Sequence, residues 1–242
     1  MGLEKKLALA IDGDSGRGAR FDCGRVEKLL REGADPEGAD EAGWTPLARA
    51  ARAGNEGMVR ALIKVGADPR RGGPAGFSAL AIALGARVGS RGPGGARVGP
   101  GHIECALLLA PGMDPGWGCG VDEGGWPPLA RLYHSMARFE PAWMGRLEKA
   151  GAQARASMPG GWTLLRLAGE AGGEACSVGL ARWAMARGVD PGGACAGGVL
   201  PEHAAMACGK PRLAEELRSA RERGELGEGV AGAVVSGATR RL

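Results

Sequence analysis

Histidine and cysteine are the residue types here that could coordinate a metal ion. Two groups bring them together in the chain: His102, Cys105 and Cys119, and Cys195, His203 and Cys208. Neither group has the paired spacing of a zinc module. We therefore expect free cysteines, a histidine at a helix start, and no bound metal.

Catalytic patterns are equally sparse. The sequence has no GxSxG motif, no hydrolase-like order of Ser, His and Asp, and no paired carboxylates in a pocket pattern. An enzyme with an unrecognised site in residues 85–125 is the least favoured alternative, because the only nearby histidines are His102 and His134. We expect no catalytic residues and no cofactor.

Among the bulky apolar side chains that follow a glycine, five recur at spacings of 33, 49, 36 and 37 residues: Trp44, Phe77, Trp126, Trp162 and Val199. Trp is the residue most often found at interface hot spots, so this pattern is suited to binding. Two interpretations stay open. The rings either pack on neighbouring turns and serve the scaffold, or they contact a partner.

Composition sets broad limits. Glycine supplies 46 of 242 residues, and the basic residues are mostly arginine, which suggests the mutational bias of a GC-rich genome. The net charge of +4 permits an acidic partner without requiring one. There is no CxxC pair, the apolar run at the N-terminus is too short for a signal peptide, and no stretch reaches about 18 apolar residues. A reducing, cytoplasmic location is expected.

The repeated glycines measure a period. Gly43 and Gly76 are 33 residues apart, and Gly125, Gly161 and Gly198 follow at spacings of 49, 36 and 37. The spacing of 49 is one period of 33 plus an insertion of 16 residues. Such self-similarity is the signature of a repeat architecture.

Residues 40–71, DEAGWTPLARAARAGNEGMVRALIKVGADPRR, resemble an ankyrin repeat almost throughout. The match includes Thr45-Pro46-Leu47 and Gly66-Ala67-Asp68, and the other copies are degenerate versions. The resemblance covers roughly residues 3–224. It implies an all-α repeat solenoid of stacked helix-turn-helix units with short β-turn connections, and a chain of helices without a membrane span.

The chain then divides into seven parts. These are an N-terminal capping repeat (1–39), an ankyrin repeat (40–72), a repeat with an insertion at 87–101 (73–118), two degenerate repeats (119–157 and 158–194), a C-terminal capping repeat (195–224) and a flexible tail (225–242).

Several residues of the repeat at 40–72 have the types expected at helix ends and on a buried helix face. Thr45 is predicted to cap the first helix and Pro46 to fit its first turn. Val59, Leu62 and Ile63 form an apolar stripe on the second helix. Gly66 is expected to end that helix in a left-handed conformation.

Ankyrin repeats bind through a concave face made of turn tips and the edge of the first helices, so the resemblance implies where a partner would lie. The aromatic residues Trp44, Phe77, Trp126 and Trp162 are predicted to lie there as a ladder. Polar companions predicted on the same face are Glu41, Arg49, Arg52, Arg131, His134 and Glu170, each of which could instead be a solvated surface charge.

The insertion is a second candidate site. It contains Arg91 and Arg97, with Arg87 at its edge, and no acidic residue. It is either a disordered insertion or a basic loop that reaches a polyanion.

These observations favour a protein–protein interaction module, acting as an adaptor, effector or inhibitor on the concave face. The alternative is a module that binds nucleic acid or another polyanion through the insertion. A small-molecule substrate and a membrane are not expected partners.

Overall fold

The structure is a computed structural model that describes residues 6–7, 10, 23–85, 98–112, 126–156, 158–193 and 197–238. Eleven α-helices lie in this part of the chain, together with three short 3-10 turns and no β-strand. The chain forms two compact units, residues 1–159 and 160–242. The described residues form an all-α fold of stacked helix pairs, as the sequence predicted.

The first unit contains seven of these helices, and the second contains four. The bounds in the first unit are α1 Cys23–Arg31, α2 Pro46–Arg52, α3 Glu56–Lys64, α4 Ala79–Ala83, α5 Pro100–Leu109, α6 Pro128–Ser135 and α7 Pro141–Lys149. The bounds in the second unit are α8 Leu164–Glu170, α9 Glu174–Met185, α10 Pro201–Ala207 and α11 Pro211–Ala238.

Helices pair and then stack in two layers within each unit. In the first unit α2 packs on α3, α4 on α5 and α6 on α7. The first helix α2 also packs on α4, while the second helices α1, α3, α5 and α7 pack on one another in that order. The second unit repeats the arrangement, because α8 packs on α10 and α9 on α11. We call α2, α4 and α6 the first-helix layer of the first unit, and α8 and α10 the first-helix layer of the second.

One leucine position is buried in the first-helix layer of both units. The leucine of the TPL-like motif is at most 1% exposed in four repeats, as Leu47, Leu80, Leu129 and Leu165. Burying a leucine contributes about 1.5–3 kcal/mol, so this position accounts for much of the packing between repeats. In the last repeat the same position holds Glu202, which is buried and accepts a hydrogen bond from Arg221 at 3.1 Å.

The predicted helix signals in the best-matched repeat are confirmed. Thr45 Oγ1 accepts the backbone N–H of Ala48 at 3.2 Å, and Pro46 opens α2. Gly66 follows α3 with φ +96°, in the left-handed region. Val59 and Leu62 are buried as predicted, whereas Ile63 is half-buried.

The start of α5 packs unusually closely on the turn between α2 and α3. A Cβ atom on Gly101 would lie 2.4 Å from the carbonyl oxygen of Gly54. Beside it, His102 Nδ1 accepts the N–H of Gly99 at 3.3 Å, and its Nε2 lies 3.1 Å from the carbonyl oxygen of Arg52. Because Nδ1 accepts, the proton is on Nε2, which donates to Arg52.

Two predicted segments, the tail and the insertion, differ from the structure in part. α11 continues to Ala238, so the predicted tail at 225–242 is helical over residues 225–238. α5 begins at Pro100, inside the predicted insertion 87–101. No helix in the described ranges is long and apolar enough to cross a membrane.

Candidate protein-interaction face

Asp40 organises the turn that precedes α2. Its Oδ1 accepts the backbone N–H groups of Ala42 at 2.8 Å and Trp44 at 3.0 Å, and its Oδ2 accepts Arg49 Nε at 2.6 Å. Arg49 also donates a second, short hydrogen bond to Oδ2 from its terminal nitrogen. This carboxylate therefore fixes the backbone before Trp44 and the guanidinium that follows it.

The pKa of Asp40 reports the same contacts. Burial alone would raise this pKa, but the hydrogen bonds from Trp44, Arg49 and Ala42 and the charge of Arg49 outweigh burial and lower it below its usual value. Arg49 was predicted to meet a partner. In the structure its side chain is only 15% exposed, and it already pairs with Asp40.

Trp44 is half-buried and lies under an arginine. The Arg52 guanidinium carbon is 5.1 Å from the centre of the Trp44 ring, within cation–π range. A Cβ atom on Gly73, in the turn of the next repeat, would lie 3.1 Å from Trp44 Cε3. The indole thus packs on the neighbouring turn while the exposed Arg52 extends over it.

Phe77 and Trp126 are placed in the interior instead. They are only 4% and 9% exposed, and Arg131, 2% exposed, has its guanidinium carbon 6.0 Å from the Phe77 ring centre. Burial lowers the pKa of Arg131 to about 10. His134 is half-buried, and burial together with the charge of Arg131 lowers its pKa. These side chains serve the packing of their repeats, and their contact with a partner stays a prediction.

The second unit has its own Trp–Arg pair. The Arg166 guanidinium carbon lies 4.9 Å from the Trp162 ring centre, and both side chains are half-buried. Arg166 also donates to Glu170 at 2.8 Å, one helical turn along α8. Thr163 caps α8 by accepting the N–H of Arg166 at 3.3 Å, so the capping residue and the pair share one turn. Val199 is half-buried at the corresponding position of the last repeat.

Sequence reasoning missed two arrangements. Lys210 is buried, and its Nζ donates to the carbonyl oxygens of Ala168 at 2.9 Å and Ala171 at 2.7 Å, closing the end of α8. Arg187, two residues past the end of α9, lies 3.8 Å from the Trp183 ring centre, and the spacing of four residues was the available signal. For Lys210 no local signal exists, because its partners are about forty residues away.

Metal and thiol chemistry finds little support in the described ranges, where no group of three or more His, Cys, Asp and Glu residues could hold a metal ion. Cys105, Cys176 and Cys208 are free thiols. Cys105 is buried, and burial raises its pKa to about 12, which suppresses the reactive thiolate. Cys119 and Cys195, and the insertion arginines Arg87, Arg91 and Arg97, lie outside the described residues.

Comparison with known proteins agrees with the helix-pair architecture. Residues 18–117 match a family model described as ankyrin repeats in three copies. Among solved structures, the chain is similar to an ankyrin repeat domain from Acinetobacter baumannii AYE, with a TM-score of 0.67 and 20% sequence identity. That similarity covers 88% of this chain and 96% of the other. The search of curated proteins gave no match.

Proposed function

The chain carries ankyrin repeats and has their fold, and from that premise we propose that it binds a protein partner through its turn face. We define the turn face as the turns before the first-helix layer together with the exposed side chains of that layer. Ankyrin repeats are generally protein–protein interaction modules without catalytic activity. The proposed role is accordingly that of an adaptor, effector or inhibitor, not an enzyme.

The observation that carries the proposal is the presence of an arginine over a tryptophan on the turn face of each unit. Trp44 with Arg52 and Trp162 with Arg166 are the two pairs. Both tryptophans are half-buried, so each is held by its own repeat yet keeps part of its surface in solvent. Trp and Arg are the residue types most enriched at interface hot spots. A pre-positioned pair also loses little side-chain entropy when a partner binds.

The proposal is tested by affinity capture from a lysate of the source, or of its host, with protein identification by mass spectrometry. The wild type is compared with a double variant, Trp44→Ala with Trp162→Ala. Trp126 is left unchanged, because truncating a buried tryptophan costs about 3–5 kcal/mol and would confuse binding with folding. The matched control is Trp143→Ala, since Trp143 is a half-buried tryptophan on α7, in the second-helix layer.

We expect a specific partner that is captured by the wild type and by Trp143→Ala but lost by the double variant. Circular dichroism must show that all three proteins are equally helical. A partner retained by the folded double variant would move the interface away from the turn face. Capture of nucleic acid, with an affinity that falls steeply as salt rises, would favour the alternative site at Arg87, Arg91 and Arg97.

We also propose that the protein works in a reducing, cytoplasmic environment. The support is chemical: Cys176 and Cys208 are partly or fully exposed thiols that an oxidising compartment would readily modify.

A further inference from the structure

Aligned on their tryptophans, the two repeats supply the arginine over the ring from different positions, because Arg166 is four residues after Trp162 and Arg52 is eight residues after Trp44. The residue eight positions after Trp44 is Arg52, and the residue eight positions after Trp162 is Glu170. In both repeats this position closes the first helix, α2 or α8. The two repeats therefore offer the same aromatic platform with opposite charges at its end.

In the second unit the chain supplies a carboxylate to its own arginine. Arg166 stacks on Trp162 and reaches Glu170 through Nε at 2.8 Å and through a terminal nitrogen at 2.7 Å. Two nitrogens of the Arg166 guanidinium thus contact the same Glu170 oxygen. The Trp162 ring packs against the same guanidinium. This is a complete carboxylate-binding arrangement in which every component belongs to the protein.

In the first unit Arg52 occupies the position that Glu170 holds in the second, so this arginine has no carboxylate on its own helix. Arg52 lies over Trp44 and is exposed, and within the described ranges no acidic side chain pairs with its guanidinium. The nearby acids have other partners: Asp40 holds Arg49, and Glu56 accepts Arg60 at 2.6 Å. The backbone of Arg52 is anchored as well, because its carbonyl oxygen lies 3.1 Å from His102 Nε2.

We propose that Arg52, held over Trp44, receives an Asp or Glu side chain of the protein partner. This inference rests on the proposed function, because it names the chemistry of one contact on the turn face. A guanidinium offers parallel N–H donors that match a carboxylate, and such charge-assisted hydrogen bonds are the strong ones. The tryptophan underneath restricts the arginine before binding and shields one side of the ion pair from water.

An acidic peptide segment fits this site better than a nucleic acid. Nucleic-acid backbones are bound by several cations that together neutralise a run of phosphates. Around Arg52 the turn also carries Asp40 and the exposed Glu41, and Arg49 is already paired. One unpaired guanidinium beside acidic residues accommodates a single carboxylate and repels an extended polyanion.

The test uses the full chain and two defined probes, a displayed library of random linear peptides and a random-sequence single-stranded DNA. Binders selected on the wild type are resynthesised with each Asp or Glu replaced by Asn or Gln. Their affinities are measured on the wild type, Arg52→Gln, Trp44→Ala and Arg218→Gln. The last variant is the charge-matched control, since Arg218 is an exposed arginine on α11.

We expect selected peptides to share an acidic position. Neutralising that position should weaken binding to the wild type and to Arg218→Gln by about tenfold or more, the magnitude of a hydrogen bond to a charged group. On Arg52→Gln the same peptide change should have almost no effect, because the carboxylate has lost its receptor. Arg52→Lys should restore part of the preference, since it keeps the charge without the planar fork.

Three results would overturn the inference, and they are distinguishable. An acidic preference that persists on Arg52→Gln, or binders that need Trp44 but no acid, would reject the inference and leave the proposed function standing. Failure to select any peptide that depends on Trp44 would count against both. Binding of the DNA probe that is lost on Arg52→Gln would assign the site to nucleic acid.

Discussion

Asp40 shows how much of the turn face depends on a single carboxylate. It accepts hydrogen bonds from the backbone amides of Ala42 and Trp44, and two more from the Nε and a terminal nitrogen of Arg49. The turn geometry, the position of the indole and the orientation of one arginine are therefore coupled. A change at this residue is expected to alter stability and the proposed binding surface together.

We predict that Asp40→Asn lowers the free energy of unfolding by about 1–3 kcal/mol at neutral pH, because Asn keeps one oxygen for the backbone amides but replaces the charged acceptor of Arg49 with an NH2 donor. The folded-state pKa of Asp40 is below its ordinary value of 3.8, so this stabilisation is present above that pH and is lost as the pH falls further. Urea unfolding at neutral pH and near pH 3 measures both parts.

The matched control for this prediction is Asp68→Asn. Asp68 accepts the backbone N–H of Arg70 at 2.9 Å in the turn after α3, and an Asn side chain can keep that bond. The control should therefore change stability little. Equal losses from Asp40→Asn at both pH values would contradict the charge-based explanation.

The sequence predicted the role of single residues where the cause was local. Thr45 as a cap and Gly66 as a helix end follow from neighbours a few residues away, and both are confirmed. The burial of Phe77 could not be predicted in this way, because Arg131 covers it from a later repeat, beyond a stretch of irregular spacing. Residues at equivalent repeat positions share a backbone setting, yet their exposure depends on what the next repeat places over them.

At the level of elements, glycine has two opposite effects in these helices. At Gly101, in the first turn of α5, an added Cβ atom would approach the carbonyl oxygen of Gly54 to 2.4 Å, so the backbones could not keep their separation. At Gly145, inside α7, nothing lies within 4 Å of such an atom. Glycine therefore permits a helix–turn contact in α5 and only weakens the helix in α7.

This contrast gives a paired prediction. Gly145→Ala should raise the free energy of unfolding by about 0.5–1 kcal/mol, the usual gain from replacing glycine in a helix. Gly101→Ala should lower it by about 1–3 kcal/mol, because α5 must shift away from the turn at Gly54. Chemical denaturation of the two variants beside the wild type measures both, and a stabilised Gly101→Ala would show that the contact is not needed.

Considered as a whole molecule, the chain has many exposed ion pairs and little net charge. Arg31 with Glu27, Arg60 with Glu56 and Arg182 with Glu216 have arginine side chains that are 79%, 63% and 65% exposed. Exposed pairs of this kind contribute little to stability and are screened by salt. Stability must therefore come mainly from the packing of leucines and alanines between repeats.

We predict that raising sodium chloride from low to high concentration changes the free energy of unfolding by less than about 2 kcal/mol. The measurement is urea unfolding across a salt series. A much larger loss of stability would mean that ion pairs, not apolar packing, hold the repeats together.

The fold was predictable at this scale because a period of 33 residues, once measured between Gly43 and Gly76, fixes the helix pairs and the leucine position. The division into individual repeats stays a prediction. The turn face as a binding site stays a prediction, and Trp44 and Trp162 lie partly exposed there. Which arginine is already paired was not predictable, since it depends on distances of a few ångström between side chains.

The contact between Gly101 and Gly54 also has a consequence for sequence drift. If a mutational bias towards GC-rich codons supplies glycine throughout this chain, a helical glycine with open space around it, such as Gly145, is free to be exchanged for alanine by a single nucleotide change. Gly101 is not, because that exchange separates α5 from the preceding helix pair. Among future descendants of this gene, Gly145 should be replaced readily, while Gly101 should be retained as long as the repeats remain stacked.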